Sequence, residues 1–120
     1  MRIVIDLDGT ICPIRQSDQS YSELVPLPNA VERITELKND GHYIIISTAR
    51  NMATCESNVG RVLKNVGKIT LDWLEMYKIP YDEIFFGKQN ADVYIDDRAL
   101  RFETWDIINS KSLSLIAKSK

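Results

Sequence analysis

Ile3-Val4-Ile5-Asp6-Leu7-Asp8-Gly9-Thr10 stands at the start of the chain, and its reading decides the fold. Three β-branched residues in a row fit a buried strand. Gly9 ends that strand, and two carboxylates sit where it gives out. In open α/β sheets, ligands bind outside the carboxyl ends of strands. Asp6 and Asp8 are two apart, so in extended backbone both side chains point to one face. Like charges that close are tolerated when a cation lies between them or when one carries a proton. Alone, Asp-x-Asp-Gly is also an ordinary turn, since Asp and Gly are both turn formers. The rest of the chain has to decide between a turn and a site.

Composition sets the frame. The 120 residues make one domain of ordinary size, large enough to bury a core without staples. Hydrophobic residues are 44% and charged residues 27%, a soluble globular balance. A net charge of -2 and a pI near 5.4 argue against a nucleic-acid partner. No apolar run approaches the ~20 residues of a membrane span. With two cysteines, Cys12 and Cys55, and no secretory leader before the first strand, a reducing cytoplasm is expected. Cys12 lies close to the acidic pair. It reads as a small buried hydrophobe first and a reactive thiol second. His42, the single histidine, opens a strand and reads as structural.

Strands and helices alternate along the chain. Residues 11–27 are a polar loop or flap. Pro28 suits a first helical turn, Val31, Ile34 and Leu37 recur at helical spacing, and Gly41 is the expected left-handed cap. Tyr43 to Thr48 is a second buried strand, and strand-helix-strand implies a parallel crossover unit. Residues 50–66 read as a substrate-side loop, within which 53–66 is a loop or broken helix. Ile69, Trp73, Leu74 and Tyr77 mark a further helix, stopped by Pro80. Glu83 to Gly87 reads as a third strand and Asp92 to Asp97 as a fourth. Trp105 reads as a core residue, with a subunit contact as the alternative, and the apolar tail from Phe102 to Ile116 can cover the sheet with a final helix or strand.

Polar groups follow each strand: Asp6 and Asp8, Thr48 and Arg50, Lys88, and Asp96 with Asp97. Parallel strands would bring all of them to one edge. Carboxylate oxygens suit a hard cation such as magnesium, and no His/Cys cluster supports zinc. A carboxylate can act as a nucleophile, a second one as general acid and base. A cation, a lysine and a hydroxyl can mask phosphate charge.

Ile5-Asp6-Leu7-Asp8-Gly9-Thr10, the strand ending in Thr48, Gly87-Lys88 and Tyr94-Ile95-Asp96-Asp97-Arg98 resemble, in order, the four motifs of the haloacid dehalogenase superfamily of phosphatases. That resemblance implies an α/β fold: a single Rossmann-like three-layer α/β/α domain over residues 1–120 with a mainly parallel sheet. The stretches before and after Thr48 leave no room for a cap domain. It also implies an aspartyl-phosphate mechanism with magnesium as cofactor. Asp6 would be the nucleophile and a metal ligand. Asp8 would be the general acid and base, its backbone carbonyl a further ligand. Thr48 would bind the phosphoryl oxygens, with Ser47 as the competing assignment. Lys88 would neutralise Asp6 and phosphate. Asp96 would hold the metal directly, Asp97 directly or through water. Gly9, Thr48, Arg50 and Lys88 are the expected substrate-binding positions.

Arg50 has two readings: its planar fork reads substrate oxygens, or it pairs with Asp97 or another acid to hold the loop. Arg15, in the flap, is a second substrate candidate. The segments Arg50-Asn51-Met52, Asn58-Val59-Gly60 and Pro80 to Ile84 are similar to small capless proteins of bacterial capsule and surface-polysaccharide biosynthesis. Gln89-Asn90 departs from them, where proline is expected after the lysine. The expected substrate is a small phosphorylated sugar, polyol or related metabolite, with a homo-oligomer (dimer or tetramer) covering an open site. The competing readings are a phosphatase of a macromolecule and a non-enzymatic phosphoacceptor domain.

Overall fold

The computed structural model describes residues 1–118. Three strands, β1 (Arg2–Asp6), β2 (Tyr43–Thr48) and β3 (Glu83–Phe86), form one parallel sheet in the order β1-β2-β3. Ile3 lies beside Ile44, Ile5 beside Ile46, and Ile46 beside Ile84. Because side chains alternate along a strand, this register puts all five isoleucines on one face. They share a core with Ile34 and Leu37 of helix α1 (Ala30–Asn39) and with Trp73 and Leu74 of helix α3 (Lys68–Met76). Trp105 and Ile108 complete that core. The fold is α/β with a parallel sheet, as the sequence implies.

Helix α1 ends as its Asn-Asp-Gly predicts. Gly41 takes φ +91, and the amides of Gly41 and His42 donate to the carbonyls of Lys38 and Leu37, a left-handed cap that satisfies the last turn. Its start is less orthodox. Asn29 caps it in the left-handed region at φ 66 without a side-chain bond, and its side-chain amide instead donates to Asp106 at 2.6 Å. The loop or broken helix expected over 53–66 is resolved into turns followed by α2 (Val59–Val62). Asn58 caps α2 by accepting from the Arg61 amide. A π-helical stretch, Leu63–Gly67, then runs directly into α3. Met52, Cys55, Val62 and Val66 form a second, smaller core there. Helix α4 (Ser110–Lys118) follows a 3-10 turn at Trp105–Ile107.

The fourth strand is where the structure differs. Residues 92–97 form no strand: Val93 is 73% and Ile95 100% exposed. Strand propensity measures packing on a pleated, half-buried surface, and this segment has a competing local arrangement. The Tyr94 hydroxyl donates to the Gln89 carbonyl, the Lys88 ammonium lies 4.7 Å from the Tyr94 ring centre, and Asp96 caps the Arg98 amide at 2.8 Å. β1 is therefore the edge of the sheet. A groove of about 890 Å³ separates it from the segment carrying Tyr94, Asp96 and Leu100.

Lys38 on α1 is tied to Asp82, just before β3, by contacts of 2.6 and 2.7 Å to its two carboxylate oxygens. The Ile44 amide also donates to Asp82, at 2.7 Å. The lysine first, and that amide second, hold the Asp82 carboxyl below its ordinary value of 3.8. A depressed carboxyl contributes stability above its unfolded value and loses it as pH falls through the lower folded value. Asp82→Asn should therefore lower the urea midpoint at pH 7. The gap from wild type should close below about pH 4.

Candidate active site

The acidic pair is built by alternation followed by a tight turn. Leu7 is fully buried in the core, so its neighbours Asp6 and Asp8 face the other way. The Leu7 carbonyl gathers the amides of Thr10, Ile11 and Cys12. Gly9 sits between at φ +88, a conformation that a side chain would strain. Its amide donates to the Cys12 carbonyl at 2.7 Å. The substrate contact expected of Gly9 is not open to that amide, which is spent inside the turn. The Trp105 indole pins the same turn from outside by donating to the Thr10 carbonyl at 2.7 Å.

The next two strand ends meet the first. Asp6, Asp8, Thr48, Arg50 and Lys88 line one pocket of about 250 Å³, with Gln89 and Asn90 on its wall. The Lys88 Nζ stands 3.4 Å from Asp6 Oδ1, and the Thr10 hydroxyl donates to Asp6 Oδ2 at 3.4 Å. The amides of Gly87 and Lys88 both donate to the Thr48 carbonyl, which ties the lysine's loop to the end of β2. Thr48 Oγ1 accepts from the Arg50 amide at 3.0 Å. That bond orients the hydroxyl without using its proton. Ser47 lines the groove beside β1, whereas Thr48 shares the pocket with both aspartates.

Of the two readings of Arg50, the geometry has the ion pair, with Asp8 and not Asp97. Arg50 Nε and Nη2 donate to Asp8 Oδ2 and Oδ1 at 3.0 and 2.7 Å. Nη1 donates to the Thr70 hydroxyl at 3.0 Å, and the guanidinium carbon lies 3.9 Å from the Tyr21 ring centre. Sequence reasoning misses Thr70 and Tyr21 as members of this site. Thr70 carries an isolated hydroxyl on the buried face of an amphipathic helix, and Tyr21 lies in a polar stretch with no periodicity, so neither gives a local signal. Arg15, the other substrate candidate, turns back on the flap: its Nη1 donates to the Gln19 and Gln16 carbonyls.

The last acids remain apart. Asp96 lines the groove beside β1 together with Asp6, but neither it nor Asp97 lines the pocket. Their expected convergence depends on a fourth strand, which does not form. Among the described residues no three acidic, histidine or cysteine side chains gather to hold a metal. Asp6 and Asp96 both line that groove, and carboxylate oxygens are the donor type a hard cation takes. Magnesium commonly takes only one or two carboxylates and keeps water.

Cys12 is not a reactive thiol. It is fully buried, and burial, followed by the nearby Asp8 charge, pushes its pKa up to about 12. The thiolate is the reactive form. Ellman's reagent should label Cys12 slowly in the native protein and promptly after denaturation.

A family model for haloacid dehalogenase-like hydrolases matches residues 3–72. The crystal structure of an MCSG target from Vibrio cholerae matches with a TM-score of 0.86 and 37% identity, covering 99% of this chain and 98% of that one. Two structures of the Pnkp1/Rnl/Hen1 complex, one described as an RNA repair complex, match with TM-scores of 0.51 at 20% and 23% identity. They cover 81% and 80% of this chain and 28% and 31% of theirs, a likeness of fold alone. No curated protein matches the chain.

Proposed function

The chain belongs to the haloacid dehalogenase-like hydrolase family, and from that premise we propose that it is a phosphomonoester hydrolase working through an aspartyl-phosphate. The observation that carries this reading is the pocket shared by Asp6, Asp8, Thr48 and Lys88. An oxygen of Asp6 attacks phosphorus, the bond to the leaving oxygen breaks, and that oxygen takes a proton from Asp8. Water then attacks the aspartyl-phosphate, Asp8 takes the water's proton, and phosphate departs. Lys88, 3.4 Å from Asp6, offsets phosphoryl charge, while the Thr48 hydroxyl donates to a phosphoryl oxygen. Magnesium, when bound, supplies further neutralisation of that charge. Asp6 and Asp96 would hold it, with the Asp8 carbonyl, and with Asp97 directly or through water.

The substrate is a small phosphorylated sugar, polyol or related metabolite. A pocket of about 250 Å³ whose wall carries the neutral amides of Gln89 and Asn90 suits a hydroxyl-rich leaving group. Net charge of -2 argues against a nucleic-acid substrate. The resemblance of the Arg50, Asn58 and Pro80 segments to capsule proteins favours a cytoplasmic step in surface-polysaccharide synthesis. A second copy in a dimer or tetramer would cover the open pocket.

The test is phosphate release from a panel of sugar, polyol and nucleoside phosphates and a 3′-phosphorylated oligonucleotide, with magnesium or with EDTA. We expect release from a small metabolite that EDTA abolishes. Preference for the oligonucleotide would select a macromolecular substrate. A long-lived phospho-aspartate without release would make the protein a phosphoacceptor domain.

A further inference from the structure

We infer that Arg50 is a positioning residue for the proton-transferring Asp8 and leaves Asp8 Oδ2 as the oxygen that serves the leaving group. The inference rests on the phosphatase reading above.

The Arg50 side chain is 1% exposed. A guanidinium so buried needs acceptors for its donors, and removing either partner strands the other's polar groups. Asp8 accepts from it on both oxygens, at 2.7 and 3.0 Å. A two-pronged contact of this kind fixes the plane of a carboxylate as well as its distance. The arginine is itself held from two other directions. Thr70 on α3 accepts from Nη1, and the Tyr21 ring from the flap covers the guanidinium. Its donors point at Asp8, Thr70 and the Cys12 sulfur, which leaves no fork facing a phosphate.

The two Asp8 oxygens are not equivalent. Each carboxylate oxygen can accept about two hydrogen bonds. Oδ1 accepts from Arg50 Nη2 at 2.7 Å and has the Cys12 sulfur 3.5 Å away, a thiol whose one proton is shared with the Leu7 carbonyl at 3.7 Å. Oδ2 accepts from Arg50 Nε and keeps a further lone pair for a proton. In the first half-reaction that proton moves from Oδ2 to the leaving oxygen as the phosphorus–oxygen bond breaks. In the second, a water proton returns to it. Arg50 stays protonated throughout, and a lysine there would supply charge without the fork.

The experiment uses two probes, glycerol 2-phosphate and p-nitrophenyl phosphate. The alkoxide needs a proton to leave, and p-nitrophenolate does not. Asp8→Asn and Arg50→Met should each lower kcat/KM for glycerol 2-phosphate by about 100-fold, and for p-nitrophenyl phosphate by about 10-fold or less, through kcat with KM within about 3-fold. Arg50→Lys should not recover the loss. Adding Arg50→Met to Asp8→Asn should cost no more than about 3-fold further, because residues acting through one group are not additive. Should Arg50→Met fail to fold, Thr70→Val, which removes the arginine's anchor at nearly constant shape, should give a smaller loss with the same bias between probes. Equal losses on both probes, additive losses in the double variant, or a raised KM at unchanged kcat would overturn the inference. Full activity of Asp8→Asn on both probes would instead overturn the phosphatase mechanism it rests on.

Discussion

Asp6→Asn should yield a folded protein that releases phosphate at least about 10⁴-fold more slowly than wild type, the scale of loss when a covalent nucleophile is removed. Wild type, quenched during turnover, should carry phosphate on a group that hydroxylamine releases, and the variant should carry none. The fold should be nearly indifferent to the change. The Asp6 carboxylate reaches Lys88 at 3.4 Å and the Thr10 hydroxyl at 3.4 Å, and its side chain is 36% exposed. Partly exposed pairs contribute at most about 1 kcal/mol. Loss of turnover with an unchanged urea midpoint therefore separates chemistry from structure. Near-normal turnover would reassign the nucleophile.

Trp73→Ala has the opposite signature, a large effect on stability with no contact to the pocket. Trp73, on α3, is buried in the core shared with the sheet, and its ring lies 4.9 Å from that of Tyr77. Its indole donates to the Leu24 carbonyl at 2.7 Å. Truncating a buried tryptophan costs about 3–5 kcal/mol through lost burial and the cavity left behind. Against a whole-domain stability of about 5–15 kcal/mol, that is a large fraction. Trp73→Phe keeps most of the ring but strands a buried carbonyl, at about 1–3 kcal/mol. The phenylalanine variant should also speed amide exchange in residues 11–27, because Leu24 is the flap's anchor on α3. A cost below about 1 kcal/mol for Trp73→Ala, read from the urea midpoint, would mean that this core is not what holds the flap.

Much of the scaffold is legible in the sequence because local chemistry agrees with the fold. The isoleucine runs of β1 and β2, the helical spacing of Val31, Ile34 and Leu37, and Gly41 after α1 each point the same way as the tertiary packing. Asp6, Asp8, Thr48 and Lys88 fall into one group on sequence alone, because parallel strands put their carboxyl ends on one edge. Residues 92–97 mislead for the same reason. Alternating Val93 and Ile95 satisfy a strand's pattern, but a pattern does not supply the neighbour to pair with, and Tyr94 finds its partners at Lys88 and Gln89.

The sequence by itself determined the placement of the acids in Asp6-Leu7-Asp8-Gly9-Thr10: a buried leucine between two acids obliges both acids to leave the core together, and glycine turns the chain beyond them. Tertiary structure alone decided what each acid meets. Arg50 lies far along the chain from Asp8 and Tyr21, and Thr70 lies further still. Nothing in the residues names which carboxylate a buried guanidinium will take. Packing does so, because a charge enclosed by α3, the flap and the first turn can remain buried only where a carboxylate offers both oxygens.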